Sequence, residues 1–172
     1  MAVRVVNSTI ACVTTPKVNI NLSKLPNSRK FSRFPGASVR FDGYTAMFFA
    51  SGRINVLGLK NLELLELTMD SLSKYLGSAG YNVEVNGTVK NVVTFAAGTE
   101  RVNLARSYDY IKRCGCFCML EQELYPALRI WHKDKKWTAL VYHTGNLIVT
   151  GTANVGEAFA ASDFILRSLV YA

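Results

Sequence analysis

Residues 34–58 read FPGASVRFDGYTAMFFASGRINVLG, and a similar pattern returns at residues 125–151 as YPALRIWHKDKKWTALVYHTGNLIVTG. Both stretches begin with an aromatic residue and a proline, and both close on a glycine. Both also carry an aromatic residue shortly before a turn glycine, which is Gly52 in the first copy and Gly145 in the second. Since chance rarely keeps such features in register, the sequence predicts an internal duplication. We expect a first repeat at residues 1–80 and a second at residues 81–172.

Each repeat combines short strands with one long helix. The pairs Asp42-Gly43 and Ser51-Gly52 have tight-turn chemistry, which predicts three consecutive antiparallel strands around them. Apolar residues at helical spacing then follow within residues 61–77, and residues 155–170 form the corresponding final helix. The sequence therefore predicts an α+β fold, with the helices on one face of an antiparallel sheet.

Two local features of the second repeat can also be predicted. Asn154 and Glu157 have the spacing of a capping box at the start of the final helix. The thiols of Cys114, Cys116 and Cys118 alternate, so they should share one face of a strand as reduced, partly buried side chains, with pairing to a soft metal as the alternative. The expected apolar face of the final helix is Val155, Phe159, Ser162, Leu166 and Leu169, with Ala158 and Ile165 beside it.

The composition indicates a basic globular protein. The chain has 172 residues, of which 20 are Lys or Arg and 12 are Asp or Glu, giving a net charge of +8. Such a surplus fits either simple solubility or an acidic partner such as nucleic acid. No apolar run approaches the roughly 20 residues that span a bilayer, so no membrane partner is expected. His132 and His143 have no nucleophile at a recognisable spacing, so neither an enzyme, a cofactor nor a metal site is expected.

The central strand of each repeat is apolar on both of its faces. If Phe48 and Val141 point towards the helices, Met47 with Phe49 in one repeat and Leu140 with Tyr142 in the other lie on the opposite face. A sheet covered by helices on one side usually alternates apolar and polar residues. The additional apolar stripe indicates either an interaction surface or burial by another layer or a second copy of the chain.

At these positions the chain resembles the TATA-box-binding protein family. Arg33-Phe34-Pro35-Gly36 and Phe49-Ala50-Ser51-Gly52-Arg53 are similar to motifs of the family's first repeat. Glu121-Gln122-Glu123-Leu124-Tyr125-Pro126 is similar to the acidic loop of its second repeat. The resemblance covers nearly the whole chain and implies a saddle, in which two direct repeats form one curved antiparallel sheet with helices on the convex face. The low overall identity would fit a divergent member, for example a viral one.

The resemblance implies a transcription initiation factor that binds A·T-rich promoter DNA in the minor groove, bends it and nucleates preinitiation complex assembly. The implied wedges between base steps are Phe34 with Phe49, and Tyr125 with Tyr142. The implied phosphate contacts are Arg33, Arg40 and Arg53. The implied groove floor is Met47, Asn55, Leu57, Asn91, Leu140, Ile148 and Thr150, with Asn7 suggested as the counterpart of Asn91.

The resemblance also implies partners. Glu121 and Glu123 with Leu124 would dock a transcription factor B-like protein and, through it, the RNA polymerase machinery. The implied location is the nucleus, or the cytoplasm for an archaeon or a cytoplasmic virus. A homodimer without DNA is a further option.

The second repeat departs from the family pattern. Trp131 and Asn146 stand where basic residues are usual, and the lysines at 133, 135 and 136 either compensate or are merely solvated. We therefore expect tighter binding through the first repeat. Together with Leu57 and the two tyrosine wedges, these departures leave a second hypothesis open, a protein-interaction module that keeps the fold but has lost DNA bending.

Overall fold

The computed structural model describes all residues, Met1–Ala172, and the chain divides into two compact units. We call Asn7–Lys90 the amino-terminal unit, and Met1–Val6 together with Asn91–Ala172 the carboxy-terminal unit. These units describe contacts within the folded chain. The sequence repeats at residues 1–80 and 81–172 were defined by similarity between the two halves of the sequence, and this division stays a prediction.

Ten strands, three α-helices and two three-residue 3₁₀ helices, at Leu22–Lys24 and Leu62–Leu64, make up the regular structure. The helices are α1 (Leu65–Ser78), α2 (Leu104–Arg113) and α3 (Val155–Arg167). No helix combines the length and the apolar character needed to cross a membrane. The strands are β1 (Val3–Thr15), β2 (Arg29–Phe31), β3 (Phe34–Phe41), β4 (Tyr44–Phe49), β5 (Ile54–Leu57), β6 (Glu84–Ala96), β7 (Cys116–Met119), β8 (Ala127–His132), β9 (Thr138–Tyr142) and β10 (Leu147–Thr152).

The strand order repeats along the chain. The first five strands are hydrogen-bonded in the order β2-β3-β4-β5-β1, and the last five in the order β6-β10-β9-β8-β7. All pairings within these two sets are antiparallel. Each set thus places three hairpin-connected strands beside a long strand, and α1 and α3 follow the hairpins at equivalent points. The predicted α+β fold class, with a repeated antiparallel arrangement, is confirmed.

Turn glycines shape the hairpins because the backbone there adopts a conformation that other residues rarely reach. Gly43, between β3 and β4, has φ +81°, and Gly52, between β4 and β5, has φ +83°. At Gly52 a Cβ atom would also collide with the carbonyl oxygen of Val18. A glycine at position 52 therefore permits both the turn and the close approach of the preceding loop.

One face of each strand set is buried under a helix. Residues of β4 and β5 alternate between buried and half-buried, so that Phe48 and Ile54 enter a core with Leu72 and Leu76 of α1. Strand β9 shows the same alternation, and its Val141 shares a second core with residues of α3. Because each large apolar side chain that leaves water contributes about 1.5–3 kcal/mol, these two cores fix which face of each strand points away from the helices.

The predicted apolar face of α3 is wrong at Phe159, which is 37% exposed. The buried residues of this helix are Ala158, Ala161, Ser162 and Ile165. Small side chains allow the helix to lie close to the sheet, where Ser162 Oγ is 2.8 Å from Thr94 Oγ1. The helix is therefore rotated towards its small residues. The predicted N-cap is confirmed, since Asn154 Oδ1 accepts a hydrogen bond from Glu157 N at 3.1 Å.

The prediction for the cysteines is correct for two of them and wrong for the third. Cys116 is buried and Cys118 half-buried on one face of β7. Cys114 is exposed and lies outside the strand, because α2 ends there and the Cys114 N–H bonds to carbonyl oxygens of the last helical turn. Gly115, with φ +85°, then reverses the chain before β7 begins. The alternation of the three cysteines predicted a strand that includes Cys114, and it gave no signal that a helix ends at this residue.

Candidate nucleic-acid interface

The first candidate wedge is a pair of phenylalanines at one end of the β3–β4 hairpin. Phe34 begins β3 and is 37% exposed, and Phe49 ends β4 and is half-buried. Their ring centroids are 5.6 Å apart, with the planes inclined by 67°. Phe49 has the same strand parity as Met47, so both lie on the face opposite the core. Both rings therefore lie away from the helix-covered core.

A third ring extends this pair and was missed by the sequence reasoning. Phe31 of β2 is 39% exposed, and its ring centroid lies 6.0 Å from that of Phe34 in an edge-to-face arrangement. The guanidinium carbon of Arg29 lies 5.4 Å from the Phe31 ring centroid. Gly36 accommodates the cluster, because a Cβ there would meet Cε1 of Phe34 at 2.7 Å. The only signal for Phe31 in the sequence was its position as an aromatic residue within the basic segment at residues 29–33.

The second candidate wedge is a pair of tyrosines that are joined by their hydroxyl groups. Tyr125 and Tyr142 are both half-buried, and their oxygens are 3.2 Å apart. The hydrogen bond with Tyr125, and secondarily burial, raises the pKa of Tyr142 above its usual value. The guanidinium carbon of Arg129, which the sequence reasoning also missed, lies 5.1 Å from the Tyr125 ring centroid. This arrangement is more polar than that of the phenylalanines.

The strand register arranges the predicted floor residues in rows. In the amino-terminal unit Met47 lies opposite Asn55, while Leu57 lies opposite Thr45. In the carboxy-terminal unit Leu140 lies opposite Ile148. Thr150 lies opposite Thr138, which continues the same arrangement. All of the predicted floor residues are half-buried, and each alternates along its strand with residues that point into the core: Met47, Asn55, Leu57, Asn91, Leu140, Ile148 and Thr150.

The long strands β1 and β6 add residues to this face that the sequence reasoning did not identify. Thr9 pairs with Leu57, and Phe95 pairs with Ile148. The guanidinium carbon of Arg4 lies 5.8 Å from the Phe95 ring centroid. The signal for Thr9 and Phe95 would have been strand parity, counted from the buried Ile10 in β1 and from the buried Val92 in β6. The further residues of this kind are Ala11, Val13 and Val93.

Asn7 and Asn91 occupy equivalent positions in their own units. Oδ1 of Asn7 accepts a hydrogen bond from the backbone N–H of Gly58 at 2.9 Å. Oδ1 of Asn91 accepts one from Gly151 at 2.8 Å. Because a backbone N–H can only donate, each amide must turn its oxygen to the glycine, and the nitrogen is left as the donor end of the side chain. The suggested correspondence of Asn7 with Asn91 is thus matched by the hydrogen bonds.

The predicted phosphate-contacting residues Arg33, Arg40 and Arg53 are all exposed. Arg33 lies in the turn between β2 and β3, and Arg40 lies opposite Thr45 of β4. In the carboxy-terminal unit the lysines at 133, 135 and 136 are exposed on the β8–β9 connection. Asn146 has a structural contact, since its Oδ1 accepts a hydrogen bond from Gly98 N at 2.9 Å. Exposed cations are therefore present in both units.

The acidic loop before β8 is a tight, exposed turn. The backbone N–H groups of Leu124 and Tyr125 both bond to the carbonyl oxygen of Glu121 at 2.9 Å. Glu121 and Glu123 are exposed, and Leu124 is 80% exposed, the largest value among the exposed large apolar residues. The turn thus displays two carboxylates and a following apolar side chain to solvent.

Comparisons with known proteins agree on one family. The family model of transcription factor TFIID, or TATA-binding protein, matches residues 86–171. A TATA-box-binding protein of Methanococcus vannielii is 28% identical over 139 residues, which are 80% of this chain and 75% of the relative. TATA-box-binding protein 2 of Methanosarcina acetivorans is 31% identical over 129 residues, which are 70% of this chain and 66% of the relative.

A solved structure, Methanococcus jannaschii TBP, matches with a TM-score of 0.75 and 26% identity over 98% of both chains. The likeness therefore extends over strands and helices that the family model leaves out, including β1 to β5 and α1. The fold is TBP-like, as the sequence resemblance implied. The chain belongs to the TATA-binding protein family of transcription initiation factors, which bind DNA and are not enzymes.

Proposed function

We propose that this protein binds A·T-rich promoter DNA in the minor groove, bends it and nucleates assembly of a preinitiation complex. One observation carries the proposal: in each unit, the sheet face opposite the core bears half-buried, mainly apolar residues next to an aromatic pair. An unpartnered apolar face of this kind is typical of an interaction surface. The minor groove of A·T-rich DNA suits such a surface, because no exocyclic amino group projects into it.

The wedges have the chemistry that bending requires. Inserting a flat apolar side chain partially unstacks a base step, which costs a few kcal/mol, and contact with the bent groove offsets that cost. Phe34 and Phe49 are the proposed wedge of the amino-terminal unit, and Tyr125 and Tyr142 that of the carboxy-terminal unit. The edge-to-face ring contact between Phe34 and Phe49 holds them as a unit before DNA arrives.

The other residues on the face opposite the core of each unit have two proposed roles. The apolar floor, represented by Met47 and Leu140, would exclude the guanine amino group by steric contact. The amide nitrogens of Asn7 and Asn91 would donate to base acceptors at N3 or O2, since their oxygens are held by the turn glycines. Arg33, Arg40 and Arg53 would bind the phosphates along the groove, which positions the protein without reading sequence.

The acidic loop is the proposed dock for the next factor. Glu121 and Glu123 precede the strongly exposed Leu124 in this turn, a combination that suits a basic surface with an apolar recess. We propose a transcription factor B-like protein as that partner, followed by RNA polymerase. Without DNA, we propose that a second copy of the chain covers the apolar face.

The second hypothesis, an interaction module without bending, is favoured by the hydrogen bond between Tyr125 and Tyr142. Two hydroxyl groups would have to enter a base stack or find partners at its edge. A gel-shift titration with circular-permutation bending on A·T-rich and G·C-rich duplexes separates the hypotheses. The proposal expects binding that weakens steeply with salt, a defined bend and preference for A·T.

Two double variants, one for each proposed wedge, test the role of the aromatic side chains in the same experiment. Phe34→Ala with Phe49→Ala should reduce the bend more than Tyr125→Ala with Tyr142→Ala. Leu67→Ala serves as the control, because Leu67 lies on α1 and is 63% exposed. Sequence-blind binding without a bend would favour the interaction module instead.

A further inference from the structure

We infer that the two wedges read different base pairs: the tyrosine wedge accepts a G·C pair at the step it enters, whereas the phenylalanine wedge restricts its step to A·T. This inference rests on the proposed function, because it assigns a base preference to each proposed wedge. It follows from differences between the two aromatic pairs in hydrogen bonding, support and polarity.

The first difference is hydrogen-bonding capacity. The two oxygens of Tyr125 and Tyr142 are 3.2 Å apart, so one hydroxyl hydrogen is shared between them. Two hydroxyl groups carry two hydrogens, and the pair therefore retains one hydrogen to donate and oxygen lone pairs to accept. Phe34 and Phe49 have neither.

The second difference is how each pair is supported. Phe34 packs edge-to-face on Phe31, so its neighbour is a hydrocarbon ring. Tyr125 has the guanidinium group of Arg129 at 5.1 Å from its ring centroid. Strand register places Arg129 opposite Leu140, on the floor side of β9. The tyrosine wedge therefore has a guanidinium group against one of its own rings, whereas the guanidinium group of Arg29 lies against Phe31, the neighbour of the phenylalanine wedge.

These differences imply different base preferences, because A·T and G·C pairs present different hydrogen-bonding groups in the minor groove. An A·T pair presents only acceptors there, and a G·C pair adds the guanine amino donor. A phenylalanine pressed against that amino group removes its water and offers no acceptor, which costs about tenfold in affinity. The tyrosine pair can accept from the amino group or donate to N3 and O2, so neither base pair is left without a partner.

The experiment compares G·C with inosine·C, which lacks only the minor-groove amino group, at each position of an A·T-rich duplex. An iron chelate attached to Cys114 cleaves the nearby DNA and identifies the end that the carboxy-terminal unit occupies. Cys114 suits this purpose because it is exposed, whereas Cys12 and Cys116 are buried. Affinities come from competition gel shifts, and thermal unfolding checks that each variant is folded.

We expect replacement of inosine by guanine to cost about tenfold at the phenylalanine wedge and less than about twofold at the tyrosine wedge. Tyr125→Phe with Tyr142→Phe should raise the second penalty to about tenfold. Phe34→Tyr with Phe49→Tyr should lower the first. If one double variant unfolds, the other provides the comparison, because one removes both hydroxyl groups and the other adds two.

Equal penalties at both wedges in the unmodified protein, or a tyrosine-wedge penalty unchanged in the Tyr→Phe variants, would overturn the inference while leaving groove binding and bending intact. Absence of A·T-selective binding and of any bend would instead overturn the proposed function, and the inference with it. The two failures are therefore distinguishable.

Discussion

Single side chains in this protein combine a structural contact with a proposed DNA contact, and the asparagines are the clearest case. The oxygen of Asn91 holds the N–H of Gly151 and is 3.2 Å from Thr150 Oγ1. Its nitrogen is the proposed donor to the bases. Asn7 repeats the first of these contacts with Gly58. In this proposal a single amide would link the end of a strand to the groove.

A pair of substitutions separates the two contributions of Asn91. Asn91→Asp keeps an oxygen for the Gly151 N–H but replaces the donor by negative charge, so affinity for DNA should fall by about tenfold or more with little loss of stability. Asn91→Ala loses both contacts and should also lower the free energy of unfolding by about 1 kcal/mol. Urea unfolding and gel shifts measure the two effects. Unchanged DNA affinity in Asn91→Asp would rule out the donor role.

The cysteines give a second prediction at this scale. Burial raises the pKa of Cys12 to about 12 and that of Cys118 to about 11. The reactive thiolate is therefore scarce in both at pH 7 to 8. Cys114 is exposed and should be alkylated first by iodoacetamide, with the others following only after unfolding. Peptide mass spectrometry over time measures the order, and early modification of Cys12 would contradict it.

At the scale of elements, the short strand β2 supports the first wedge. It is only three residues long, yet it brings Phe31 against Phe34 and Arg29 against Phe31. Aromatic pairs of this geometry contribute about 0.5–1.5 kcal/mol beyond their burial. Strand β2 thus fixes the position of a side chain that belongs to β3.

Removing that support should weaken the wedge without unfolding the protein. Phe31→Ala is expected to reduce affinity for bent A·T-rich DNA by about three- to tenfold, because Phe34 loses its edge-to-face partner. Leu67→Ala is again the matched control, since it also removes an exposed apolar side chain. The bend angle from circular permutation is the second readout. An effect no larger than that of the control would contradict the support role.

Elements with local signals could be predicted from the sequence, and those that depend on pairing could not. The β3–β4 turn and the N-cap at Asn154 follow from residues that are adjacent in the chain. Strand β2 forms only because β3 offers it a pairing edge, so Phe31 gave no periodic signal. The rotation of α3 away from Phe159 reflects close packing on the sheet, which the helical period does not encode.

The same limit applied to the candidate site. Phe34 and Phe49 could be selected from the sequence as candidate wedges because each belongs to a short continuous motif. Pro35 follows Phe34 directly, and the turn at Ser51-Gly52 follows Phe49. The contact between the Tyr125 and Tyr142 hydroxyls, and the position of Arg129 over a ring, depend on how β8 and β9 pair. Strand register, which joins distant residues, was the missing information.

For the whole molecule, the net charge of +8 should appear as salt dependence of DNA binding. Each phosphate contact that is lost reduces the slope of log affinity against log salt by about 0.9. We expect that reduction for Arg40→Ala and for Arg53→Ala. Arg167→Ala is the control, because Arg167 lies on α3 and forms an ion pair with Asp163 at 2.8 Å. Titrations across a salt series measure the slopes, and equal slopes in all three variants would exclude the proposed phosphate contacts.

The membership of Met1–Val6 in the carboxy-terminal unit has a practical consequence for spectroscopy. A fluorophore on the first residue and another on Ala172 would both report on the same unit, and so would one on Cys114. Any measurement of motion between the units therefore needs an internal label within Asn7–Lys90, and the exposed turn at Gly43 is a suitable place for it. Dyes at the two termini alone would record nearly constant energy transfer however the units moved.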